Sequence, residues 1–134
     1  MPSLLLAALI SLNERFFMST NSQIAFAPLG ETVVIPASAS APTGVQALVS
    51  GRLDAQGTGQ YRIINDSTYT VFLGVGTTAA LATANAVAPV AGNPSPAIVL
   101  VPGAVEILRF ARTSYFSGLA SAAATVYIVQ GEGM

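Results

Sequence analysis

Six carboxylates, Glu14, Glu31, Asp54, Asp66, Glu106 and Glu132, and five arginines, Arg15, Arg52, Arg62, Arg109 and Arg112, are the only formally charged side chains of the sequence. A glycosidase needs two carboxyl groups flanking a sugar ring. Six carboxylates always offer pairs, yet none of these stands in a recognisable catalytic setting. A serine hydrolase needs a base beside its nucleophile, and here His and Lys are absent and no G-x-S-x-G occurs. Without His and Cys, the commonest metal ligands, thiolate nucleophiles and iron-sulfur ligands are missing too. The run Gly74-Val75-Gly76-Thr77-Thr78 shares two glycines with a phosphate cradle, but the Lys of a P-loop is lacking, so a bulge or strand end is expected. Asn65-Asp66-Ser67 matches a glycosylation sequon, and its residue types equally make a turn. The expectation is a protein that is no enzyme and takes no cofactor or metal.

The arginines suit another task. Arg52 and Arg62 bracket the stretch from Leu53 to Gln60, with Asp54 nearby, while Glu106, Arg109 and Arg112 fall together further on. Exposed pairs of this kind contribute under about 1 kcal/mol each. Set in an apolar surface, however, the bidentate fork of Arg can fix the register of two subunits. Arg52, Arg62, Arg109 and Arg112 are therefore candidate interface residues.

Composition points the same way. The chain has 134 residues, room for one domain that buries about two-thirds of its unfolded surface. Only 8% of its residues are charged, against about 25% in an ordinary soluble domain, and the net charge is -1. So near-neutral a chain has no basic stripe for nucleic acid. A surface with so few charges is expected to be covered by partners, beginning with further copies of itself.

The first 22 residues read as an N-terminal arm and residues 23–134 as the domain proper. The apolar run from Leu4 to Ile10 is too short to cross a bilayer. It also lacks the basic start and the cleavage site of a secretory signal. Leu5, Leu9, Leu12 and Phe16 recur at helical spacing. The stripe either packs on its own domain or lies on a neighbouring subunit, and the second reading makes Leu4, Leu5, Leu9, Phe16 and Phe17 candidate interface residues.

From Gln23 the pattern is that of short β-branched strands separated by Gly, Pro, Asn and Ser. Eight are expected, near 23–27, 31–35, 45–50, 60–65, 69–75, 98–101, 104–111 and 125–130, with 115–119 as a further candidate. The 65–68 and 102–103 turns predict antiparallel hairpins, the second with a type II turn over Pro102-Gly103. Residues 77–89 are Ala-rich and fit either one or two helical turns or an extended excursion. The class is all-β, a sandwich or barrel. Two strands are apolar on both faces. In 69–75, Val71, Leu73 and Val75 alternate with Phe72 and Gly74; in 104–110, Val105 and Ile107 oppose Leu108 and Phe110. A half-solvated sheet alternates apolar with polar. The second face must therefore be covered by a segment of the chain or by another subunit.

Three stretches, 24–48, 61–82 and 101–134, carry VFLGVG after Asn65-Asp66, PGAVEIL after Val101, and VYIVQGEG at the end. Together they resemble the small cement, or capsid decoration, proteins of tailed bacteriophages, over the chain from Ile24 onward. The resemblance implies a jelly-roll-like β-sandwich on the outer surface of the virion, bound to the major capsid protein as a dimer or, alternatively, a trimer. It offers no counterpart for the segment before Met18. A carbohydrate-binding or host-attachment module on the virion is the alternative; it would draw on Tyr61, Tyr69, Tyr115 and Tyr127. Neither reading calls for a membrane or nucleic acid.

Overall fold

The computed structural model describes residues 25–47 and 59–132. The arm, Arg52 and the latter part of the strand expected over 45–50 lie outside them. Nine strands and one helix follow in order: β1 (Ala27–Pro28), β2 (Val33–Ala37), β3 (Val45–Gln46), β4 (Gln60–Asn65), β5 (Val71–Gly76), α1 (Ala79–Asn85), β6 (Ile98–Leu100), β7 (Val105–Arg109), β8 (Tyr115–Leu119) and β9 (Ala124–Glu132).

They build two antiparallel sheets. In the first, β1 and β2 share one side of β9, followed by β4 and β7; the second runs β3, β8, β5, β6. The pairs are β2 with β9, β3 with β8, β4 with β7 and β5 with β6. The chain is thus one long antiparallel ribbon whose tip lies between β5 and β6, rolled so that successive pairs fall in alternate sheets. That winding is the jelly roll.

The two expected hairpins prove to be something else. β4 and β5 belong to different sheets, as do β6 and β7. Residues 65–68 and 102–103 are therefore corners, where both arms of the ribbon fold from one sheet to the other. The turn chemistry was read correctly: Gly103 has φ +76, and the Ala104 amide donates to the Val101 carbonyl at 3.0 Å. Local turn residues fix a bend in the chain, and whether the flanking strands then pair depends on the roll.

Asn65 holds this corner. Its side chain is fully buried, and Nδ2 donates to the carbonyls of Tyr69, Leu100 and Val101 at 2.9–3.1 Å. The Ser67 hydroxyl donates to Asn65 Oδ1 at 2.6 Å. The amide nitrogen of the sequon is thereby engaged inside the fold, where no glycan can be accommodated.

Alternation along the strands places the core between the sheets. Ile35 and Ala37 of β2, Tyr61 and Ile63 of β4, Val71 and Leu73 of β5, Leu100 of β6, Phe116 of β8, and Val126 and Ile128 of β9 are all buried in one cluster. Tyr61, Phe110 and Phe116 form an aromatic triad with centroid separations of 4.8–6.1 Å. The Tyr61 hydroxyl donates to the carbonyls of Ala111 and Arg112, anchoring the β7–β8 loop. Burial pushes this hydroxyl up to about 12, against the lowering effect of a backbone hydrogen bond from Ser114.

Strand limits differ from expectation where tertiary position overrides local pattern. β2 runs on through Pro36, past the expected strand end at residue 35; an edge strand tolerates a residue without N–H. The 115–119 candidate is a central strand of its sheet.

Candidate interaction surface

The outer faces of the two sheets differ. On the second sheet, the Ala-rich segment forms α1. Its amino end is capped by Thr78, whose hydroxyl accepts from the Leu81 amide at 3.1 Å. The helix lies directly on backbone. A Cβ on Gly74 would run into the Ala82 carbonyl, and one on Gly76 would sit 2.7 Å from the Ala82 amide nitrogen. This explains the two glycines as a close helix-to-strand approach at the end of β5. Asn85 Nδ2 donates to the Val75 carbonyl, while the Thr83 and Ser117 hydroxyls both donate to the Pro42 carbonyl. Part of the second apolar face of β5 is thus covered by the chain itself. Beyond α1 remain Val99, Phe72 and Leu119, aligned across three strands by register, with Val99 49% exposed.

The outer face of the first sheet has no such cover among the described residues. Val34, Tyr127, Ile64 and Val105 stand in register across four of its five strands, β2, β9, β4 and β7. Val34 and Val105 are 51% and 53% exposed. Beside this row runs a second, Val129, Arg62 and Ile107, with Pro36 and Thr125 on the other flank. The opposing faces expected for residues 104–110 are present: Leu108 and Phe110 pack on the core, while Val105 and Ile107 face outward.

Of the candidate arginines, Arg62 and Arg109 come together. Arg62 pairs with Ile107 and Gln60 with Arg109, so the two cations are diagonal neighbours on the outer face. The expected grouping of Glu106, Arg109 and Arg112 does not hold. Glu106 pairs with the inward-facing Ile63, opposite in alternation to Arg109, and Arg112 lies past the end of β7 in an exposed loop position. Strand alternation separates what sequence proximity groups. Leu4, Leu5, Leu9, Phe16, Phe17 and Arg52 lie outside the described residues.

Sequence reasoning missed Val34, Ile64 and Tyr127 as members of the surface. Each sits in a strand that was expected, but the row exists only through cross-strand register. It also missed Gln130, an inward residue of β9 whose Nε2 is buried without a partner. The tyrosines are dispersed: Tyr61 is in the core, Tyr69 follows the corner, and Tyr115 and Tyr127 belong to different sheets. Among the described residues, no group of three or more His, Cys, Asp or Glu could hold a metal ion, and no helix is long and apolar enough to cross a membrane.

The fold and surface define a jelly-roll domain with a largely apolar outer face on its first sheet. No protein-family model, curated protein or solved structure matches the chain.

Proposed function

We propose that the chain is a structural, non-enzymatic virion protein that binds the exterior of an icosahedral capsid as a homo-oligomer and cements neighbouring major capsid protein subunits. The observation that carries this reading is the outer face of the first sheet, where four apolar side chains align across four strands in a chain with 8% charged residues. Interfaces that persist are more apolar than transient ones. The sequence resemblance to capsid cement proteins supplies the class of partner. Arg62 and Arg109, diagonal neighbours beside the row, would take carboxylates of a capsid subunit and set the register. With the tyrosines dispersed, no aromatic platform among the described residues supports the carbohydrate-binding alternative.

The test is binding to capsids that lack the protein. Val34→Asp and Val105→Asp alter half-exposed residues and leave the core untouched. Each is expected to keep the melting temperature while weakening capsid binding at least tenfold, because docking would strip water from the new carboxylate. Undiminished binding by both variants would overturn the assignment of this face. A chain lacking residues 1–17 is expected to stay folded but bind more weakly; equal binding with a lowered melting temperature would assign the arm to its own domain.

A further inference from the structure

We infer that two copies of this chain associate through β6, edge to edge and antiparallel about a two-fold axis at Val99, joining their second sheets into one continuous sheet. This deepens the homo-oligomer part of the proposed function and rests on it.

Two independent observations point to β6. The first concerns the edges. A strand at the margin of a sheet offers unpaired N–H and C=O groups to any similar strand, and proteins blunt such edges with charges, prolines or polar side chains. The edges of the first sheet carry Pro28 in β1, Pro36 in β2, and Glu106 and Arg109 in β7. β3, at one margin of the second sheet, has only two residues, and its Gln46 side chain donates to the Thr113 carbonyl. β6, at the other margin, is Ile98-Val99-Leu100, three apolar residues with no proline or charge among them, Pro96 and Pro102 lying two residues beyond its ends.

The second observation concerns charge. No residue between Asp66 and Glu106 bears a formal charge, and this stretch holds β5, α1, β6 and their connections. It also holds Val87, Val90, Val99 and Val101, exposed by 48–60%. Charge depletion with apolar exposure is the composition of an interface core. The occupant that fits is a second copy. A two-fold contact sets each patch against itself, so any charge near the axis would meet its own like, and the stretch that holds β6 carries none. Antiparallel pairing is also what a two-fold axis normal to the sheet makes of one strand. The outer row Leu119, Phe72, Val99 would then continue into Val99, Phe72 and Leu119 of the second copy.

The chain contains no Cys, so a single introduced thiol reports the geometry without interference. Paired residues on antiparallel strands have Cα atoms about 4.5–5.5 Å apart, within disulfide range. Val99→Cys should oxidise to a covalent dimer, while Val45→Cys, on β3 at the opposite margin of the sheet, should not. In sedimentation equilibrium the full chain is expected at twice 13.6 kDa. Val99→Lys should raise the dimer dissociation constant at least tenfold, and Val45→Lys, at a 39% exposed position of β3, should leave it unchanged. A dimer that survives Val99→Lys and does not cross-link at Val99→Cys would overturn the β6 surface while leaving self-association standing. A full chain that stays monomeric at about 100 μM would overturn both. Should Val99→Lys fail to fold, the thiol variant still decides.

Discussion

Asn65 and Tyr61 show what single polar groups do inside a largely apolar core. Asn65 Nδ2 serves carbonyls on both arms of the ribbon at the corner, so removing it strands acceptors in a dry environment. Asn65→Ala should lower unfolding free energy by about 2–4 kcal/mol, read by denaturant titration, since buried groups left without partners cost about 1–3 kcal/mol and the lost side chain leaves a void. Tyr61 acts through protonation. Its hydroxyl titrates near 12 in the folded chain and near 10 when unfolded, so the folded state holds the proton more tightly. The stabilisation it gives is complete below about pH 10 and is lost as pH rises through 10 to 12. Tyr61→Phe should therefore flatten part of the alkaline decline in melting temperature, while lowering stability near neutrality by about 1 kcal/mol for the lost bond to the Ala111 and Arg112 carbonyls.

At the scale of elements, α1 is the clearest case of sequence and packing acting together. Seven residues of Ala, Leu, Thr and Asn are too few to hold a helix in water. Small side chains on the helix and bare glycines beneath it allow backbone contact instead. Gly74→Ala should push the helix outward and cost about 1–3 kcal/mol, measured by thermal unfolding, whereas Leu81→Ala, at a 43% exposed position, should change little. Local signals made much of this readable in advance. The β4 and β8 spans follow from alternation, and the turn residues at 65–68 and 102–103 mark real bends. Those same residues misled about pairing, because a corner and a hairpin use the same Asn, Asp, Pro and Gly chemistry. Glu106 and Arg109 looked like one cluster for a similar reason: three residues along a strand bring two side chains close in sequence and put them on opposite faces. The apolar rows on both outer sheets need register, which is set by contacts between segments far apart in the chain. Composition predicted a covered surface; it held no information about which strands build it.

For the whole molecule, β9 is the strand on which everything depends. It pairs with β1 and β2 on one side and β4 on the other, and its inner residues Val126 and Ile128 are fully buried. A chain ending at Ala123 should therefore show no cooperative unfolding transition by circular dichroism. Closing the ribbon joins strands near the two ends of the described chain, so folding should be slow for this size, in the range of milliseconds to seconds in stopped-flow experiments. The ladder that makes β9 indispensable also sets Ala27 opposite Glu132. In a chain cut to residues 27–132 a linker of a few residues can therefore join Glu132 to Ala27, and new ends can be opened at Ala91-Gly92, the exposed tight turn bridged by Val90 and Asn93. Such a circular permutant keeps every strand pair while turning the ribbon's closed tip into its open end, so that a fused cargo would leave from the α1–β6 connection rather than from beside β1 and β9.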